Sequence, residues 1–157
     1  MADYDKPEDT LVLETTKGTV VIETLPEKAP GHVARIKELA REGFYDGVVF
    51  HRVIDGFMAQ GGDPTGTGTG GSDKPNLKAE FNDTPHVRGV CSMARAASPD
   101  SANSQFFICF DDATFLDNQY TAWGKVVDGM ENVDQFARGE PVPNPDRIVS
   151  MKVASDL

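Results

Sequence analysis

Three polar residues lie within apolar, strand-like runs of this chain: Arg52, Gln60 and Gln105. Strand alternation sends every second side chain to the same face. It therefore groups Arg52 with Phe50 and Ile54, Gln60 with Met58, and Gln105 with Phe107. Taken singly, each has an ordinary explanation as a polar group turned to solvent. Three together, each in large apolar company, predict a mostly apolar pocket with a few placed polar groups, the usual form of a small-ligand site. Arginine keeps its proton in proteins, so Arg52 would act by donating hydrogen bonds and not as a general base.

Other chemistries find less support. The chain has no Gly-x-x-x-x-Gly-Lys-Ser/Thr, His-Glu-x-x-His or Gly-x-Ser-x-Gly motif, so phosphate-loop, zinc and nucleophile-elbow chemistry have no footing. Residues 66–71 match Gly-x-Gly-x-x-Gly, but Asp63-Pro64 precedes them and Ser72-Asp73-Lys74-Pro75 follows. No helix N-terminus is offered to a pyrophosphate, and the segment is expected to be a flexible surface loop. Of the three histidines, His51 is expected as a hydrogen-bonded structural residue and His32 as a solvated one on the first turns of a helix. His86 is set apart from the other two, and no Ser or Cys carries a recognisable nucleophile context, so hydrolysis is not expected. Cys91 and Cys109 lack Cys-x-x-Cys spacing and read as buried reduced thiols. No metal and no cofactor is expected.

The elements that must carry these groups are mainly β. Residues 11–15 and 19–24 flank a Lys17-Gly18 turn, and further strand-like runs cover 48–54, 57–60, 89–94, 105–110, 121–127 and 147–153. Helical spacing marks 29–42, with Pro30 in the first turn and Gly43 at the stop. A shorter helix is marked over 130–138, with Asp128 and Glu131 at capping-box spacing. Eight short strands with few crossovers predict an antiparallel sandwich or a closed barrel with two helices. Residues 61–88 lack periodicity, and a loop of that length predicts binding. Residues 141–145 read as an extended connector.

The 157 residues fit one domain, 1–157, with an acidic extension over 1–9 expected to be flexible. The net charge of −10 comes with scattered acids and no Lys/Arg cluster. That argues against nucleic-acid and anionic-membrane partners. The start has no secretory pattern, the apolar run 106–110 is too short for a membrane span, and the Asn82-Asp83-Thr84 sequon has no secretory route. A monomeric cytoplasmic protein is expected.

Residues 50–63, Phe-His-Arg-Val-Ile-Asp-Gly-Phe-Met-Ala-Gln-Gly-Gly-Asp, resemble the signature of the cyclophilin family. The match recurs in family order at Ser92-Met93-Ala94, at 103–108, at Leu116-Asp117 and at Trp123-Gly124-Lys125-Val126, and spans roughly residues 11–153. The resemblance implies an eight-stranded antiparallel β-barrel closed by two α-helices and a peptidyl-prolyl cis-trans isomerase that assists protein folding without metal or cofactor. It places catalysis on Arg52, Gln60 and Phe107. It places substrate binding on Phe57, Met58, Ala94, Arg95, Ala96, Gln105, Phe115, Leu116 and Tyr120. Partners would be proline-containing peptides and unfolded or flexible protein segments.

Three substitutions and one loop depart from the family pattern. Phe115 replaces a frequent Trp, as in the bacterial branch, which implies weak cyclosporin binding. Arg95 replaces a frequent Asn, and Tyr120 a frequent His. The loop 97–103 is slightly longer than in familiar eukaryotic members. A non-catalytic proline-binding module or chaperone on the same fold is the alternative.

Overall fold

The computed structural model describes residues 6–157; residues 1–5 of the expected extension lie outside the described residues. The rest of that extension is tied down rather than free. Pro7–Asp9 forms a 3₁₀ turn, and the Glu8 carboxylate accepts from Lys37 Nζ at 2.8 Å, Ser155 Oγ at 2.7 Å and Arg41 Nη2 at 3.1 Å. These donors, Lys37 foremost, draw the Glu8 carboxyl down to about 2.

Eight strands follow the alternating and apolar runs: β1 (Thr10–Thr15), β2 (Gly18–Thr24), β3 (Arg52–Ile54), β4 (Met58–Gly61), β5 (Val90–Met93), β6 (Phe106–Cys109), β7 (Ala122–Asp128) and β8 (Ile148–Val153). All pair antiparallel in one sheet of order β3-β4-β6-β5-β7-β2-β1-β8. The sheet curls until its two edges meet, as the barrel expectation requires. The seam is not a regular ladder. Phe50 N donates to Asp146 O at 2.8 Å and Ile148 N to Val48 O at 2.8 Å, with Val49 bridged to Arg147. This is why β3 is shorter than the run 48–54: its first residues close the seam and so protect both edges.

Helix α1 (Pro30–Arg41) buries Val33, Ile36, Leu39 and Ala40. It has no side-chain N-cap of its own. Instead the Glu80 carboxylate, from the long loop, accepts from Gly31 N at 3.1 Å and His32 N at 2.9 Å, satisfying two of the unbonded amides at the helix start. The same loop corrects the expectation for His32. Its ring is 1% exposed and Nε2 lies 2.8 Å from Lys78 O, so residues 78–80 cover it. Burial lowers its pKa, which favours the neutral ring.

Helix α2 is a single turn, Met130–Val133, not 130–138. The capping box fails because Asp128 is still in β7, paired with Val21, and the N-cap is Gly129 at φ 86°. A Cβ there would strike Thr19 O, so glycine is required. Turns carry the chain on to Phe136, which is buried with Val133 as the apolar spacing demands.

Alternation in β6 divides the interior. Phe106 and Ile108 join the main core with Leu11, Leu13, Ile22, Trp123 and Met151. Phe107 and Cys109 face the other way, with Met58, Ala113 and Leu116. That second, smaller cluster floors the site described below. Cys91 and Cys109 are buried free thiols, and burial pushes Cys109 up to about 12. Among the described residues no helix is long and apolar enough to cross a membrane.

Candidate active site

Strand register assembles the site. Arg52 on β3 pairs with Gln60 on β4, Gln60 pairs with Phe107 on β6, and Phe107 pairs with Ser92 on β5. The three residues assigned to catalysis thus form one row across adjacent strands, and directly opposed side chains on one face are close neighbours. A single-residue slip in any of these pairings would turn a member of the row into the core.

Two adjoining cavities open on this row. The smaller, about 160 Å³, is lined by Arg52, Phe57, Met58, Gln60, Ala94, Arg95, Phe107, Leu116 and Tyr120, each of them an expected site residue. The larger, about 430 Å³, shares Gln60, Ala94 and Arg95 and takes in the expected Ala96 and Gln105 together with the glycine loop. Phe115 lines neither cavity. It stands at the rim, 69% exposed, with its ring centroid 5.7 Å from that of Phe57.

A chain of side-chain amides runs between the cavities. Arg52 Nη1 donates to Gln60 Oε1 at 3.2 Å, and Gln60 Nε2 donates to Gln105 Oε1 at 3.0 Å. Gln105 Nε2 then donates to Gly68 O at 3.0 Å and Gly70 O at 2.9 Å. The loop that ends this chain is built on Asp63, which is 0% exposed. Its carboxylate accepts from the backbone of Thr65, Gly68 and Gly70 at 2.8, 2.7 and 3.0 Å, and from the Thr65 hydroxyl at 2.8 Å.

Burial alone would raise the Asp63 carboxyl, but the Gly70, Thr65 and Gly68 donors outweigh it and hold it well below the usual range. A Cβ at Gly70 would run into that carboxylate. Residues 66–71 are therefore a nest for an anion that the chain itself supplies, instead of the flexible loop expected. The amides that would hold a phosphate are taken.

The sequence matches the family described as cyclophilin type peptidyl-prolyl cis-trans isomerase over residues 10–153. The chain belongs to this family. A probable peptidyl-prolyl cis-trans isomerase of Brucella abortus is 50% identical over 166 residues, covering 96% of this chain and 85% of the relative. Among solved structures, cyclophilin AquaCyp293 of Hirschia baltica superposes with a TM-score of 0.89 at 35% identity, over 96% of this chain and 76% of that one. A Cryptosporidium parvum cyclophilin type peptidyl-prolyl cis-trans isomerase, solved in the presence of the dipeptide Ala-Pro, superposes with a TM-score of 0.85 at 28% identity, over 92% and 98%.

In this cyclophilin the two unusual pocket residues touch each other. The Arg95 guanidinium lies 4.5 Å from the Tyr120 ring centroid and donates to Gln119 O, Ala96 O and Ala97 O. It straps residues 94–97 to the segment before Tyr120, so its side chain is a strut. The loop 97–103 is closed by Ser101, whose Oγ accepts from Ala96 N at 2.9 Å and donates to Ser98 O at 2.6 Å.

Several contributors escape sequence reasoning. His86, 1% exposed, stacks on Phe107 with centroids 6.2 Å apart, and its two ring nitrogens lie 2.8 Å from Asp117 Oδ1 and 2.8 Å from Ser92 Oγ. The grouping has the members of a hydrolytic triad. Ser92 is 0% exposed, however, so no substrate reaches it, and the group serves to back the Phe107 ring. Only the short range Ser92-Met93-Ala94 and the Leu116-Asp117 pair hinted at it. His51, expected to be hydrogen-bonded, is buried with no partner for Nδ1 among the described residues. Burial lowers its pKa, and the neutral ring needs fewer partners. Among the described residues no group of three or more His, Cys, Asp or Glu could hold a metal ion.

Proposed function

We propose that this peptidyl-prolyl cis-trans isomerase turns over Xaa-Pro bonds with Arg52 as the catalytic donor. The observation that carries the reading is the position of its guanidinium. It lines the small cavity with Phe57, Met58, Phe107 and Leu116, and Nη2 has no hydrogen bond among the described residues.

Rotation about an Xaa-Pro bond costs about 18–20 kcal/mol because it destroys amide resonance, and no covalent bond need break. Catalysis then consists of favouring the twisted amide over both planar forms. The proline ring sits against Phe57, Met58, Phe107 and Leu116, while Gln60, Gln105 and the backbone of residues 94–96 hold the preceding residues. Twisting returns a lone pair to the prolyl nitrogen. The Arg52 guanidinium donates to it at the edge of a partly dry cavity, where such a bond is strengthened. Arg95 and Tyr120 shape the wall between the cavities, and Phe115 extends the apolar rim beside Phe57.

Substrates on this reading are proline-containing peptides and flexible or unfolded protein segments, and the Ala-Pro dipeptide present with the Cryptosporidium parvum relative supports that class. The reading extends to a monomeric cytoplasmic enzyme that assists folding and binds cyclosporin weakly. The net charge of −10 favours solubility over association with phosphates or lipid surfaces.

Exchange spectroscopy on an Xaa-Pro peptide tests the proposal. The natural protein accelerates exchange and Phe107→Ala loses most of that acceleration. Peptide binding without faster exchange would leave a binding module instead.

A further inference from the structure

Glu140 belongs to none of the motifs and lines neither cavity, yet Arg52 Nε donates to its Oε2 at 3.0 Å. We infer that Glu140 is a positioning residue that sets the rotation of the Arg52 guanidinium, and this rests on the assignment of Arg52 as the catalytic donor.

Arginine has four side-chain torsions, and Arg52 is 41% exposed. One hydrogen bond from Nη1 to Gln60 would leave the guanidinium free to pivot about that contact. A second bond from Nε, on the other side of the planar fork, removes the pivot. With Nε held by Glu140 and Nη1 held by Gln60, Nη2 is the nitrogen left for substrate.

The carboxylate is itself held in place by the backbone. Val53 N donates to Gly139 O at 2.9 Å and Gly139 N to Val53 O at 2.8 Å, while Val142 N donates to His51 O at 3.0 Å. The segment 139–142 is thus docked along β3 on both sides of Arg52, and Glu140 has one short reach to make. Arg138 adds a further tether, donating to Asp134 O and Phe136 O.

A purely structural role fits less well. Both partners of the ion pair are about half exposed, at 41% and 54%, and such pairs contribute little to stability. The segment is already fixed by three backbone hydrogen bonds that do not involve the pair. What the pair adds is orientation.

The test compares Glu140→Ala and Glu140→Gln in the full chain by exchange kinetics on an Xaa-Pro peptide, by thermal unfolding and by the Arg52 Nε–H resonance. Glu140→Ala lowers kcat about three- to tenfold, the range expected when one hydrogen bond is lost from a transition-state donor. KM stays within about twofold, since the lost interaction matters in the transition state and not in ground-state binding. The thermal midpoint barely moves, and the resolved Arg52 Nε–H signal is lost. Glu140→Gln, whose amide oxygen still accepts, keeps both the signal and most of kcat.

Natural kcat in Glu140→Ala overturns the inference, as does a Glu140→Gln variant no better than Glu140→Ala. If the natural protein does not accelerate exchange, or Arg52→Ala remains active, the assignment of Arg52 falls instead, so the two failures are told apart.

Discussion

Gln60 and Gln105 meet amide to amide, with Gln60 Nε2 donating to Gln105 Oε1 at 3.0 Å. The contact fixes the polarity of both groups. Because Gly68 and Gly70 offer carbonyls to Gln105 Nε2, the Gln105 oxygen must face Gln60, and the Gln60 oxygen must then face Arg52. Replacing Gln105 by Leu removes that constraint and lets the Gln60 amide rotate. We predict that Gln105→Leu lowers kcat/KM for an Xaa-Pro peptide by about tenfold, the loss of one to two hydrogen bonds, while the protein stays folded. Steady-state exchange rates beside a circular dichroism spectrum check this.

Asp63 is the internal anion of the glycine loop. Asn at this position keeps the size but offers one acceptor oxygen and no charge, while the amides of Thr65, Gly68 and Gly70 remain. Asp63→Asn should cost about 2–4 kcal/mol, since hydrogen bonds to a charged group are worth about 1.5–3 kcal/mol each. Urea denaturation measures it. A change of under about 0.5 kcal/mol would show that the nest does not depend on the charge.

The direction of the pKa shifts fixes the pH dependence of stability. His32 and His51 have folded pKa values lowered, in each case first by burial. The unfolded chain therefore takes up protons first, and stability falls as pH drops below about 6.5. Asp117, held down first by the His86 amide, is also lowered, as are Asp63 and Asp146, where hydrogen bonds overcome burial. Their contribution is complete above about pH 4 and is lost below it. Thermal midpoints should be level from pH 7 to about 8, decline above that as the unfolded chain ionises the thiols that burial keeps protonated in the fold, decline from about 6.5 on the acid side, and fall more steeply below about 4. Turnover, with a donor that does not titrate, should stay nearly flat from pH 6 to 8.

At the rim, Phe115 presents a smaller ring than the Trp frequent in the family and no indole N–H. Phe115→Trp should tighten cyclosporin binding several-fold, through about 1 kcal/mol of added contact and a donor. Fluorescence titration with the new Trp measures it, and an affinity no different from that of the natural protein would contradict the prediction.

The fold was legible because its signals are local. Alternation at 106–109 separates Phe106 and Ile108 from Phe107 and Cys109, and the apolar spacing of Val33, Ile36 and Leu39 marks one helix face. The family resemblance over residues 11–153 then located every residue that lines the small cavity. What stayed hidden depends on residues far apart in sequence. Glu140 reaches Arg52 across 88 residues, and Glu80 caps a helix 49 residues away. No spacing rule covers such pairs, because the fold and not the chain makes them neighbours. The Asp128 and Glu131 capping box failed for the converse reason: a local pattern was overruled when β7 kept Asp128 in its ladder.

The central claim is that Arg52 supplies the catalytic hydrogen bond from the wall of the pocket that Phe57, Met58, Phe107 and Leu116 also line. It is tested most directly by the exchange rate of an Xaa-Pro peptide with natural protein and with Arg52→Ala at matched concentration. We predict clear acceleration by the natural protein and a loss of about a hundredfold or more in Arg52→Ala, the size seen when one oriented transition-state donor is removed, with peptide binding largely retained. An Arg52→Ala variant that keeps most of the natural rate would contradict the account.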